Sequence, residues 1–144
     1  MILTILCLLA GLSHLISVWQ LLAALAFPLH RRSQARHFAP GLTVLKPLKD
    51  ADAHTATCLQ SWLDQNYQAP VQILFGVHDP QDPVCAVVQT LLAKSPDRDA
   101  KLVGCQERPG ANAKVGTLVQ LSDLARHGVI LVSDADVKVP PDFL

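Results

Sequence analysis

Two aspartates one residue apart, Asp134 and Asp136, close the apolar run Val129-Ile130-Leu131-Val132-Ser133. Carboxylates that near repel unless protons or a cation lie between them, and hard oxygen ligands suit Mg²⁺ or Mn²⁺, which can also hold a diphosphate. An Asp-x-Asp is equally the composition of a solvated turn. Its place after a buried strand distinguishes this one. The period of two sends both carboxylates to one side at the strand's carboxyl end, where open α/β sheets keep their ligands. Asp79, after the apolar run Val71-Gln72-Ile73-Leu74-Phe75-Gly76-Val77, can accept from the edge of a base, and Lys114 can pair with phosphate. Taken singly, each has a plainer reading. Asp79 before Pro80 starts a turn, Lys114 near a helix start is a solvated side chain, and Lys46 and Lys49 are surface charges. Only the joint placement of Asp79, Lys114, Asp134 and Asp136 points to a nucleotide diphosphate with its metal.

The elements that must position these groups alternate along the chain. Leu42-Thr43-Val44-Leu45 reads as a first buried strand, ended at Lys46-Pro47-Leu48-Lys49 because proline cannot continue a ladder. Asp52 or Thr55 caps a helix through about Gln65, with Cys58, Leu59, Trp62 and Leu63 on its apolar face. Residues 71–77 form the second strand. Asp82-Pro83 then starts a helix over residues 84–94. Lys101-Leu102-Val103 is a short third strand, residues 114–127 form an amphipathic helix closed by Gly128, and residues 129–133 make the fourth strand. Strands apolar on both faces and alternating with helices predict a Rossmann-like parallel sheet. No G-x-G-x-x-G follows the first strand and no Walker A sequence occurs, so a dinucleotide fold is disfavoured.

The amino end has a different character. Residues 1–29 contain no Asp, Glu, Lys or Arg, and a helix of that length reaches roughly 43 Å against roughly 30 Å of bilayer hydrocarbon. We read residues 1–30 as one transmembrane helix, with Ser13, His14, Ser17 and Gln20 as its polar interruptions. A cleaved signal peptide is the competing reading, on the small residues Ala24-Leu25-Ala26, but no basic segment precedes the apolar run and the run is long for a signal. Arg31, Arg32 and Arg36 fall in a basic linker over residues 31–41, and the positive-inside rule places the globular remainder of the chain in the cytoplasm.

Twelve basic and twelve acidic residues cancel, which argues against nucleic acid as a partner. Cys7, Cys58, Cys85 and Cys105 are too far apart for a zinc or disulfide framework and read as buried thiols, and the six histidines form no short-spaced pair. His78 is given no role, and Trp62 and Tyr67 are assigned to packing.

Four ordered stretches carry a resemblance: Leu45-Lys46-Pro47-Leu48-Lys49-Asp50-Ala51-Asp52, Phe75-Gly76-Val77-His78-Asp79-Pro80-Gln81-Asp82-Pro83, Gly110-Ala111-Asn112-Ala113-Lys114-Val115 and Ser133-Asp134-Ala135-Asp136-Val137-Lys138-Val139. Over residues 42–144 the chain resembles ceramide glucosyltransferases (glycosyltransferase family 21, family 2 type), most closely bacterial members associated with hopanoid biosynthesis. The resemblance implies a GT-A α/β fold and a membrane-anchored enzyme of the bacterial inner membrane. Such an enzyme transfers a sugar from a UDP-sugar donor to a lipid acceptor, ceramide, hopanoid or similar, at the cytoplasmic face. It implies donor binding by Pro47, Asp79, Lys114 and Asp134, with Asp79 near the uracil and Lys114 near the phosphates. Asp134 would sit at the metal and diphosphate, with Asp136 completing the metal pair for Mg²⁺ or Mn²⁺. Thr117 departs from the asparagine of many relatives. The family's third aspartate, which is the acceptor base, and its Q/R-x-x-R-W motif would lie beyond Leu144, so no catalytic base is assigned here. The expectation is therefore the donor-binding half of a glycosyltransferase, truncated at its carboxyl end. The alternatives are a catalytically inactive membrane-anchored α/β binding module, or decayed gene product, and a nucleotidyltransferase.

Overall fold

The computed structural model describes residues 2–26, 39–107 and 109–144. Arg31, Arg32 and Arg36, on which the orientation argument rests, lie outside the described residues. The chain divides into two units, Met1–Phe38 and Ala39–Leu144.

In the first unit Ile2–Ala26 forms α1, exposed on every side. Its 25 residues rise about 37 Å at 1.5 Å each, enough to cross a bilayer. Two of its polar side chains bond to their own helix: His14 Nδ1 donates to the Ala10 carbonyl at 2.9 Å and Ser17 Oγ to the Ser13 carbonyl at 3.0 Å. Donors satisfied within the segment require no partner helix in an apolar medium.

The second unit runs β1 (Leu42–Leu48), α2 (Thr55–Leu63), β2 (Val71–Val77), α3 (Val84–Lys94), β3 (Asp99–Gly104), α4 (Ala113–Ser122) and β4 (Val129–Val132). The strands form one parallel sheet in the order β3-β2-β1-β4. Alternation along β1 and β2 divides their side chains between two cores. Leu42, Val44, Leu48, Ile73, Phe75 and Val77 meet α2 and α3 through Leu59, Trp62, Leu63, Val84 and Val88. Leu45 and Leu74 meet Leu121 of α4 on the other face. Gly76 lets α4 sit close, since a Cβ there would stand 2.7 Å from Thr117 Cγ2 and 2.8 Å from Leu121 Cδ1. Val129, Ile130 and Val132 of the edge strand β4 are 45%, 46% and 51% exposed.

Three elements differ most from the sequence expectation in their bounds. β1 continues through Pro47, which pairs with Gly76 of β2. The Leu45 carbonyl accepts from Ser133 N at 3.1 Å, so Leu45, and Pro47 two residues on, face the β4 side. β4 has ended by then, and the missing proline N–H leaves no gap in a ladder. β3 is longer than residues 101–103, beginning at Asp99. α4 stops at Ser122 rather than running to His127. The buried pair Thr43 and Gln72 captures the backbone beyond it: Gln72 Nε2 donates to the Leu124 carbonyl, Arg126 N to Gln72 Oε1 at 2.9 Å, and His127 N to Thr43 Oγ1. Side chains of β1 and β2 thus end the helix where its own sequence would continue.

Candidate functional site

After β1, the chain lays β2 and β3 to one side, and β4 then returns to the other. Such a reversal opens a crevice at the carboxyl ends of the strands. A cavity of about 560 Å³ lies there, and its walls include Pro47 from β1, Asp79 after β2, Lys114 from the first turn of α4 and Asp134 after β4. The residues expected to bind a donor are therefore brought together from four separate stretches. A smaller cavity of about 260 Å³, lined by Tyr67, Pro70 and Asp97, lies at the opposite ends of the strands and contains none of them.

Asp79 combines its two sequence readings. Its Oδ1 accepts from Gln81 N at 2.9 Å, as an aspartate starting a turn does, and the same residue lines the cavity. Asp82 fastens two loops together. Its Oδ1 accepts from Val84 N, capping α3, and its Oδ2 accepts from Asp50 N, each at 2.9 Å. Asp50 has φ of 58°, a left-handed conformation that Asp tolerates better than most residues. His78 Nδ1 donates to the Cys105 carbonyl at 2.9 Å beside the cavity.

Lys114 and Asp134 face each other at 2.5 Å, with side chains 52% and 54% exposed. Asn112 supplies the cap that aims α4, accepting from Val115 N through Oδ1 at 3.2 Å. The first turn of α4 therefore brings both a lysine and the positive end of a helix dipole to the cavity. Thr117 directs its hydroxyl to the Ala113 carbonyl, leaving its methyl over Gly76.

Lys46 is the residue that sequence reasoning missed. Far from being a surface charge, it is fully buried. Its Nζ donates to Ser133 Oγ at 3.0 Å and to the Asp134 carbonyl at 2.6 Å, and lies 4.5 Å from the centroid of the Trp62 ring. Burial lowers its pKa from 10.5 to about 8, while Cys58, Asp134 and Asp136 pull in the opposite direction. The signal was present in the strand's own parity, which sets Lys46 on the face of Leu42, Val44 and Leu48.

The strand ends at Val132, so period-two alternation no longer governs Asp134 and Asp136. Asp134 lines the cavity and Asp136 does not, although both are exposed. Among the described residues no group of three or more His, Cys, Asp or Glu could hold a metal ion. A pair of carboxylates fits Mg²⁺ or Mn²⁺ arriving with a ligand, since such ions are bound by one or two carboxylates plus phosphate and water oxygens.

Comparison with known proteins gives a consistent picture. The model of the family described as "Glycosyl transferase family 21" matches residues 2–144. A ceramide glucosyltransferase of Candida albicans is 32% identical over 137 residues, covering 81% of this chain and 25% of that protein. Ceramide glucosyltransferase 1 of Caenorhabditis elegans is 29% identical over 116 residues, again 81% of this chain and 25% of that protein. The chain thus spans about a quarter of the length of these relatives. Among solved structures, mannosyltransferase PcManGT from Pyrobaculum calidifontis, in complex with GDP-Man and Mn²⁺, superposes with a TM-score of 0.62 at 21% identity over 72% of this chain and 30% of its own. S. aureus TarS 1-349 superposes with a TM-score of 0.52 at 14% identity over 70% of this chain and 29% of its own. The parallel α/β sheet is of the GT-A type.

Proposed function

Because the chain belongs to glycosyl transferase family 21, we propose that it is the donor-binding part of a membrane-anchored hexosyltransferase. The donor is a UDP-sugar and the acceptor a lipid hydroxyl, on ceramide, a hopanoid or a similar alcohol, at the cytoplasmic face of a bacterial inner membrane. The meeting of Pro47, Asp79, Lys114 and Asp134 on one cavity wall carries this reading. The apolar α1 supports the anchor.

In this reading Asp79 accepts from the N–H on the uracil edge, and Pro47 offers a rigid apolar wall. Lys114 leaves Asp134 for the diphosphate, which also meets the first-turn amides of α4. Asp134, on the cavity, and Asp136, exposed beside it, would hold Mg²⁺ or Mn²⁺, which when bound would supply positive charge for the leaving diphosphate. The lipid hydroxyl attacks the anomeric carbon as the diphosphate departs, and no residue of this chain is assigned the hydroxyl proton.

Calorimetric titration of the detergent-solubilised chain with UDP, with and without Mn²⁺, tests the proposal. UDP binds more tightly with Mn²⁺, Asp134→Ala abolishes that gain, and Lys114→Met weakens binding about tenfold, the value of one charge-assisted contact. Unchanged UDP affinity in Asp134→Ala overturns the assignment.

A further inference from the structure

The turn that carries the two aspartates is held from beneath by side chains, and each bond falls on its backbone. Lys46 Nζ donates to the Asp134 carbonyl, Cys58 Sγ to the Asp136 carbonyl at 3.3 Å, and Trp62 Nε1 to the Val137 carbonyl at 2.9 Å. Lys46 and Trp62 also engage each other, ammonium over ring, in a fully buried position. A buried ammonium is costly unless its donors are matched. Here Ser133 Oγ, the Asp134 carbonyl and the Trp62 face meet it. Matched in this way, the ammonium fixes the backbone of the turn that carries the two carboxylates.

We propose that Lys46, seated on Trp62, is the positioning residue of the Asp134–Asp136 turn, holding its backbone so that the carboxylates stand ready for a divalent cation. The inference rests on the proposed donor and cation site. It makes a prediction opposite in sign to simple electrostatics. A positive charge that only sat near the site would repel the cation, so removing it would tighten cation binding. A lysine that positions the ligands does the reverse: removing it frees the turn and weakens binding.

Electron paramagnetic resonance of free against bound Mn²⁺, in the presence of UDP, reads the difference in the detergent-solubilised chain. Calorimetry of UDP without metal serves as the internal control. Lys46→Met keeps an unbranched side chain one heavy atom shorter than lysine and lacks its charge and donors. The variant should bind Mn²⁺ at least tenfold more weakly while its metal-free UDP affinity stays within about twofold of the original chain. Ser133→Ala removes one anchor and leaves the charge in place, so it should lose a smaller part of the Mn²⁺ affinity. Equal or tighter Mn²⁺ binding by Lys46→Met overturns the proposal. Should Lys46→Met fail to fold by circular dichroism, Ser133→Ala decides, and full Mn²⁺ affinity there overturns it. Absence of Mn²⁺-dependent UDP binding in the unaltered chain would instead refute the functional reading beneath it.

Discussion

At the scale of single residues, Asp52 collects three donors on one carboxylate oxygen: His54 N at 2.9 Å, Thr55 N at 2.8 Å and the Thr55 hydroxyl at 2.7 Å. The Thr55 hydroxyl is the largest cause, followed by the two backbone N–H groups, and together they hold the Asp52 carboxyl below its ordinary 3.8. A carboxyl depressed in the folded state stabilises that state fully above 3.8 and ceases to do so as pH falls through the folded value. Thr55→Val deletes the largest cause, so the fall of melting temperature with acid below 3.8 should be shallower in that variant. An identical slope in both proteins would contradict this account. The sequence left Asp52 and Thr55 as alternative caps, and the structure puts the cap bonds on Asp52. Asp82's second bond, to Asp50 N, was not legible, because it joins loops 32 residues apart.

At the scale of elements, the position of α4 decides whether Lys114 reaches the cavity. β2 accommodates the helix only because Gly76 has no side chain under Thr117 and Leu121. Gly76→Ala would place a methyl 2.7 and 2.8 Å from the terminal methyls of Thr117 and Leu121, closer than real Cβ contacts come, and both side chains are buried with little room to turn away. Overpacking of this kind costs about 1–3 kcal/mol. Chemical denaturation should show a loss of that size, with UDP affinity reduced as Lys114 shifts. A variant as stable as the original with unaltered UDP binding would show that α4 does not need this close approach. The helices were readable from their apolar periodicity, and α3 lies over residues 84–94 as its spacing predicts. The end of α4 was not readable, because Gln72 and Thr43 end it from other strands.

At the scale of the whole molecule, α1 is long and apolar enough to cross a membrane, and the remaining described residues form an α/β unit of their own. If α1 is an anchor, the chain stays with the membrane pellet after alkaline carbonate extraction and leaves it only in detergent. Release by carbonate alone would reduce α1 to a peripheral or processed segment. The twelve basic and twelve acidic residues give no net field over the chain, so any attraction for a diphosphate has to be local. In the proposed reading the first turn of α4, with Lys114, would provide it.

Local patterns sufficed for the alternation of strands and helices, the parallel sheet and the four stretches that line the cavity, because the apolar period and the turn residues are properties of neighbours in sequence. The resemblance carried by those loops agrees with the family to which the chain belongs. Only tertiary structure decided that β4 lies beside β1, that β1 continues through Pro47, that Asp136 stands outside the cavity lined by Asp134, and that Lys46 is buried. Lys46 finds its oxygen partners 87 and 88 residues away. No periodicity spans that distance; the crossover from α4 to the far side of β1 brings the groups within reach.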